Sequence, residues 1–153
     1  MRRAFLTFFY TGLLPYAPGT WGTIAGALIA LVILHFLTPE TLILGAILLT
    51  IIAIKEIDKQ EKLTGIHDAS EIVIDEVAGV WVALAMSGAT ITQIIFSIIY
   101  FRIFDIWKPS FIGRIDRDVK GGLGVMGDDI LAGIVAGVCS AGTFQVLAHF
   151  AHF

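Results

Sequence analysis

The sequence predicts an all-α protein: an integral membrane bundle of about four to five transmembrane helices, with an interfacial or re-entrant N-terminal segment. Three observations lead there. Hydrophobic residues make up 57% of the 153 and charged residues only 15%, with a mean hydropathy of +0.88, whereas soluble domains run at about 45–50% apolar and ~25% charged. Five apolar stretches follow one another, each bounded by charge, Gly or Pro. All ten Lys and Arg residues fall in segments that a five-span topology places on one side of the bilayer. The length suits a single membrane-embedded domain, residues 1–153.

The chain starts Met1-Arg2-Arg3 and continues apolar from Ala4 to Leu14. This resembles a signal peptide, but it runs into Pro15 and Pro18 without a small-residue cleavage site. The expected arrangement is a segment lying in the interface, with Phe5, Phe8, Phe9 and Tyr10 near the headgroups. The spans are read as Gly22 to Leu37, Glu40 to Ile54, Ile72 to Met86, Ile91 to Trp107 and Asp129 to Phe150. Several are shorter than the ~20 residues that a hydrocarbon core of about 30 Å requires. Thinning of the bilayer or use of polar flanks would accommodate them.

A single short apolar helix could equally be the core of a soluble protein, but five in succession favour lipid. With the N-terminus cytoplasmic, Arg2, Arg3, Lys55, Lys59, Lys62, Arg102, Lys108, Arg114, Arg117 and Lys120 all lie inside. The outer connections, near Thr38-Pro39 and Ser87 to Thr90, carry no basic residue.

Composition also excludes. A net charge of -3 offers no basic footprint, so no nucleic acid is expected as a partner. One cysteine, Cys139, permits neither an internal disulfide nor a Cys-rich metal site. His35, His67, His149 and His152 form no cluster and read as ordinary histidines.

Four polar clusters interrupt the apolar background. In Pro18 to Thr23, Pro and Gly punctuate a helix start and a Thr caps it; Thr20, Thr23 and nearby backbone amides could hold a phosphate oxygen. Gly22, Gly26 and Ala30 then form a small-residue stripe for close helix approach. In Glu71 to Gly79, a helical spacing puts Glu71, Asp75 and Gly79 on one face, with Glu76 about 100° away. Glu71 suits the helix dipole, whereas Asp75 and Glu76 are flanked by apolar residues, a costly place for acids unless paired or functional. In Tyr100 to Pro109, Arg102 and Asp105 are spaced for an ion pair, and Pro109 ends the helix beside Lys108. In Val119 to Ile130, closely spaced glycines precede Asp128, placed to cap the last helix, and Asp129, which shares a face with Gly133 and Gly137.

On the expected topology all four clusters meet at the inner side. Hard carboxylates without cysteine favour Mg²⁺ or Mn²⁺, and the neighbouring cations suit an anionic substrate group. Membrane lipid is the expected surrounding partner, and a homo-oligomer is compatible with the sequence.

The runs GTWGT at Gly19 to Thr23, IDEVAG at Ile74 to Gly79, FRIFDIWKP at Phe101 to Pro109 and KGGLGVMGDD at Lys120 to Asp129 resemble the phosphatidylglycerophosphatase A family. The resemblance implies a multi-pass enzyme of the bacterial inner membrane, its active site facing the cytoplasm. Such an enzyme uses Mg²⁺ to hydrolyse the phosphate monoester of a phospholipid substrate, phosphatidylglycerol phosphate, to phosphatidylglycerol. Carried onto this chain, Asp75, Glu76, Asp105, Asp128 and Asp129 become the metal-binding set, with Asp75, Glu76, Asp105 and Asp129 catalytic. From the chemistry of the residues themselves, Thr20, Thr23, Arg102, Lys108, Arg117, Lys120, Gly121 and Gly122 are the expected phosphate-binding set. Ala78, Val80 and Gly127 depart from the family pattern beside these acids without replacing one. Water attacking phosphorus in line is the expected chemistry, with an aspartyl-phosphate as its rival. The alternative from another class is a small cation-binding membrane transporter with buried carboxylates.

Overall fold

The structure, a computed structural model, describes residues 1–151; His152 lies outside the described residues. In chain order it contains α1 (Arg2–Leu6), a 3₁₀ turn (Thr11–Leu13), α2 (Pro18–Phe36), α3 (Pro39–Thr64), α4 (Ile74–Ser87), α5 (Ile91–Trp107), α6 (Ser110–Asp118) and α7 (Gly122–Ala151). Among the described residues there is no strand.

The helix ends have local causes, and several differ from expectation. Helix α2 starts at Pro18, whose missing N–H costs nothing in a first turn. The expected Thr cap does not form: Ala17 occupies the N-cap with no side-chain bond, and the Thr23 hydroxyl, already inside the helix, donates to the Gly19 carbonyl at 2.9 Å. Helix α3 runs past Ile54 to Thr64, because its polar tail is made of good helix formers with a Lys59–Glu56 pair at 2.6 Å. It ends at Gly65, whose φ of 70° supplies a left-handed cap. Helix α4 starts at Ile74, so Glu71 lies outside it and accepts from Arg3 at 3.2 Å instead of facing Asp75. Helix α5 coincides with the fourth apolar stretch and opens on a capping box between Thr90 and Gln93.

The largest difference is α7, which begins at Gly122, so Asp128 lies two turns inside and caps nothing. Asp58 of α3 accepts from the Gly122 amide at 2.7 Å and takes the capping role.

Helix α4 is the axis of the bundle: ten of its 14 residues are buried, and it packs against α2, α3, α5 and α7. The Gly22, Gly26 and Ala30 stripe of α2 is buried against it, with the Trp81 indole N–H donating to the Gly26 carbonyl at 2.9 Å. Helices α4 and α7 run parallel at very close range. A Cβ on Gly79 would lie 2.6 Å from the Asp129 carbonyl, and one on Gly137 would lie 2.8 Å from that of Ala83. The N-terminal segment buries Leu6 and Phe8 and exposes Phe9 and Tyr10; its Leu6 carbonyl accepts from the Val73 amide at 3.0 Å, tying it to the chain just ahead of α4.

Outward faces are apolar, with Leu28, Val32, Leu44, Leu48, Ile95 and Val138 all exposed. Two helices, Pro18–Phe36 and Gly122–Phe150, are long and apolar enough to cross a membrane. Helices α4 and α5, at 14 and 17 residues, fall short of the ~20 that a full crossing takes.

Candidate active site

A cavity of about 260 Å³ opens where α2, α4 and α7 begin and α5 ends. All four sequence clusters contribute to its wall: Pro18 and Gly19, Asp75 and Glu76, Arg102, Asp105 and Lys108, then Asp128 and Asp129. A larger cavity of about 470 Å³, between Phe5, Phe8, Leu49 and Ile74, is lined by apolar residues alone and offers no group for chemistry.

The close crossing of α4 and α7 builds the floor. Asp75 stands one turn before Gly79, and Asp129 one turn before Gly133; with parallel helices touching through those glycines, the two acids face each other. Glu76 joins them, and one carboxylate oxygen from each of Asp75, Glu76 and Asp129 lies within 4.8 Å of the others. Asp75 and Asp129 are 7% and 3% exposed. The N-terminus of α4 supplies a positive dipole end under Asp75 and Glu76, but this is partial compensation for ionised groups held away from water.

The cations are engaged elsewhere. Arg102 pairs with Asp105 and donates at 3.4 Å to both the Thr20 and Thr23 hydroxyls. Lys108, the left-handed C-cap of α5, donates at 2.6 Å to Asp128 and at 2.6 Å to Asp116. Burial opposes its charge, but those two carboxylates outweigh it and hold its pKa above the ordinary lysine value. Asp128 in turn accepts the Asp129 amide at 3.0 Å, fixing the backbone that carries the third floor carboxylate.

The buried Asp75 Oδ1 and Glu76 Oε2 therefore have no hydrogen-bond partner. Three carboxylates with oxygens at short mutual range, two of which also carry an oxygen without a partner, fit Mg²⁺.

Not every expected residue reaches the cavity. Asp105 and Asp128 line it but stand outside the three-carboxylate group, held by Arg102 and Lys108. Thr20 and Thr23 act on Arg102, not on the cavity. Arg117 and Lys120 do not line it. Gly121, at φ 76°, makes the turn into α7, and the Gly122 amide is spent on Asp58, so this glycine run forms a helix start and no phosphate cradle. Asp68 and Ser70, which do line the cavity, and Asp116, which holds Lys108, went unremarked in the sequence. Asp68 and Ser70 belong to a polar connection where nothing in spacing distinguishes a wall residue from a solvated one.

The family model for phosphatidylglycerophosphatase A matches residues 4–144. The chain belongs to that family. A phosphatidylglycerophosphatase A of Haemophilus influenzae is 36% identical over 84% of this chain and 79% of its own length, and one of Escherichia coli is 36% identical over 92% and 80%. A Bacteroides thetaiotaomicron protein, named as a candidate phosphatidylinositol-3-phosphatase, is 40% identical over 84% of each chain. No solved structure matches. Family membership makes the chain a phosphoric monoester hydrolase acting on a phospholipid.

Proposed function

We propose that the chain hydrolyses phosphatidylglycerol phosphate to phosphatidylglycerol with Mg²⁺ held by Asp75, Glu76 and Asp129, at the cytoplasmic face of the bacterial inner membrane. The observation that carries the reading is the meeting of those three carboxylates at the parallel crossing of α4 and α7, with two of their oxygens unpartnered. When bound there, Mg²⁺ supplies Lewis-acid polarisation of the phosphoryl group and offsets charge on the entering and departing oxygens.

The chain's own residues orient the substrate. Arg102, fixed from two sides by α2 hydroxyls and by Asp105, keeps guanidinium N–H donors outside those three contacts for the non-bridging oxygens. Lys108 steadies the Asp128–Asp129 turn and has a third donor for the phosphate. At about 260 Å³, against ~300–1,000 Å³ for sites that engulf a whole drug-sized ligand, the cavity admits the phosphorylated headgroup and leaves the acyl chains in lipid. Transport fits less well: among the described residues the buried acids are Asp75, Asp128 and Asp129, all at this end, while the other buried polar side chains there are hydroxyls.

Purified protein in detergent should release inorganic phosphate from phosphatidylglycerol phosphate with Mg²⁺ and stop with EDTA. Release unaffected by EDTA would remove the metal assignment. Faster turnover of phosphatidylinositol 3-phosphate than of phosphatidylglycerol phosphate would replace the substrate.

A further inference from the structure

We propose that the cavity is built for two divalent cations, the second held by Asp68 together with Asp75; this rests on the phosphatase reading above. Six carboxyl groups line the cavity against two cations, four more acids than cations. Arg102 is matched by Asp105 and Lys108 by Asp128, and Lys108 is further shared with Asp116, so neither cation has charge to spare. Asp68, Asp75, Glu76 and Asp129 are left over.

Three of those four form the floor group. Asp75, 7% exposed, has an unpartnered Oδ1, and Glu76 an unpartnered Oε2. One divalent ion set against the three floor acids leaves more acids than cation charge, and Asp68 adds to that excess.

The coordination chemistry points the same way. Mg²⁺ takes one or two protein carboxylates and keeps its remaining octahedral positions for water and phosphate oxygens. Four unpaired carboxylates are too many for one such ion and suit two, the arrangement that clamps both the attacking and the leaving oxygen of an in-line displacement. Asp68 offers the carboxylate outside the floor group. It stands exposed on the connection between α3 and α4, on the cavity wall beside Ser70. Asp75 has two oxygens and serves both positions.

Mn²⁺, a hard cation with an electron-spin signal, is the probe. Calorimetric titration of the purified full chain in detergent should give two Mn²⁺ per chain, with a spectrum broadened by spin coupling between neighbouring ions. Asp68→Asn should bind one, with the six-line spectrum of an isolated ion, and Asp68→Ala should do the same. Position 68 is exposed and outside the helices, so unchanged helical circular dichroism accompanies the loss. One Mn²⁺ in the unaltered chain, or two in Asp68→Asn, overturns the proposal. Counting ions needs no turnover: two bound ions without hydrolysis of phosphatidylglycerol phosphate would sustain this inference and sink the substrate assignment.

Discussion

Arg102 illustrates that geometry as well as charge decides a residue's worth at this site. Its guanidinium reaches Thr20, Thr23 and Asp105 at once, which the single ammonium of a lysine cannot reproduce. Arg102→Lys should lower kcat/KM roughly tenfold, ~1.4 kcal/mol of transition-state stabilisation, measured as initial rates of phosphate release. For the floor acids the expected loss is larger. Asp75→Asn, Glu76→Gln and Asp129→Asn should each cut kcat by about 10²–10³, the scale of removing one preorganised electrostatic group, while the protein still extracts from membranes as a folded helical species. Near-normal rates in all three would move the site elsewhere. These acids were legible in the sequence because an ionisable group inside an apolar helix is anomalous on its own. Asp128 was half legible: its place on the cavity wall was expected, but the N-cap role was wrong, since its partner Lys108 lies twenty positions away in sequence and no local pattern reports such a pair.

At the level of elements, glycines set how closely the helices approach and therefore where the acids stand. A Cβ at position 79 would come within 2.5 Å of the Phe101 ring and 2.6 Å of the Asp129 carbonyl, so α4 and α7 would have to separate. Gly79→Ala should destabilise by about 1–3 kcal/mol, as overpacking does, and should lower activity by moving Asp75 away from Asp129. Gly142, where a Cβ would meet nothing within 4 Å, is the control: Gly142→Ala should unfold at an equal or higher temperature, because alanine favours the helix. Thermal unfolding in detergent distinguishes the two. The sequence read the Gly22, Gly26 and Ala30 stripe and the Gly133 and Gly137 face correctly as packing surfaces, since small residues at four-residue spacing have few other uses in apolar helices. It misplaced the start of α7 by the same residues. Gly122, Gly124 and Gly127 look like loop in isolation, but they form the opening turns of α7, where the Asp58 carboxylate from another helix caps Gly122.

The molecule as a whole has a polar end and an apolar body, and that asymmetry fixes what its orientation should be. All ten basic residues belong to the segments around the cavity: α1, the last turns of α3 and α5, α6 and the approach to α7. Among the described residues the opposite end has the short turns Leu37-Thr38 and Gly88 to Thr90 and the last turns of α7, all without Lys or Arg. Because loops rich in Lys and Arg remain cytoplasmic, the cavity end should face inward even though, among the described residues, two helices alone have the length and apolarity of full spans. Cys139 is the single native thiol, so a Cys139→Ala background permits one reporter at a time. Thr38→Cys and Ala89→Cys should react with a membrane-impermeant maleimide on spheroplasts. Lys62→Cys and Ser110→Cys, both exposed near the cavity end, should react only after the membrane is permeabilised. The reverse pattern would put the active site on the outer face, and labelling of all four without permeabilisation would mean that the bundle does not cross the bilayer at all.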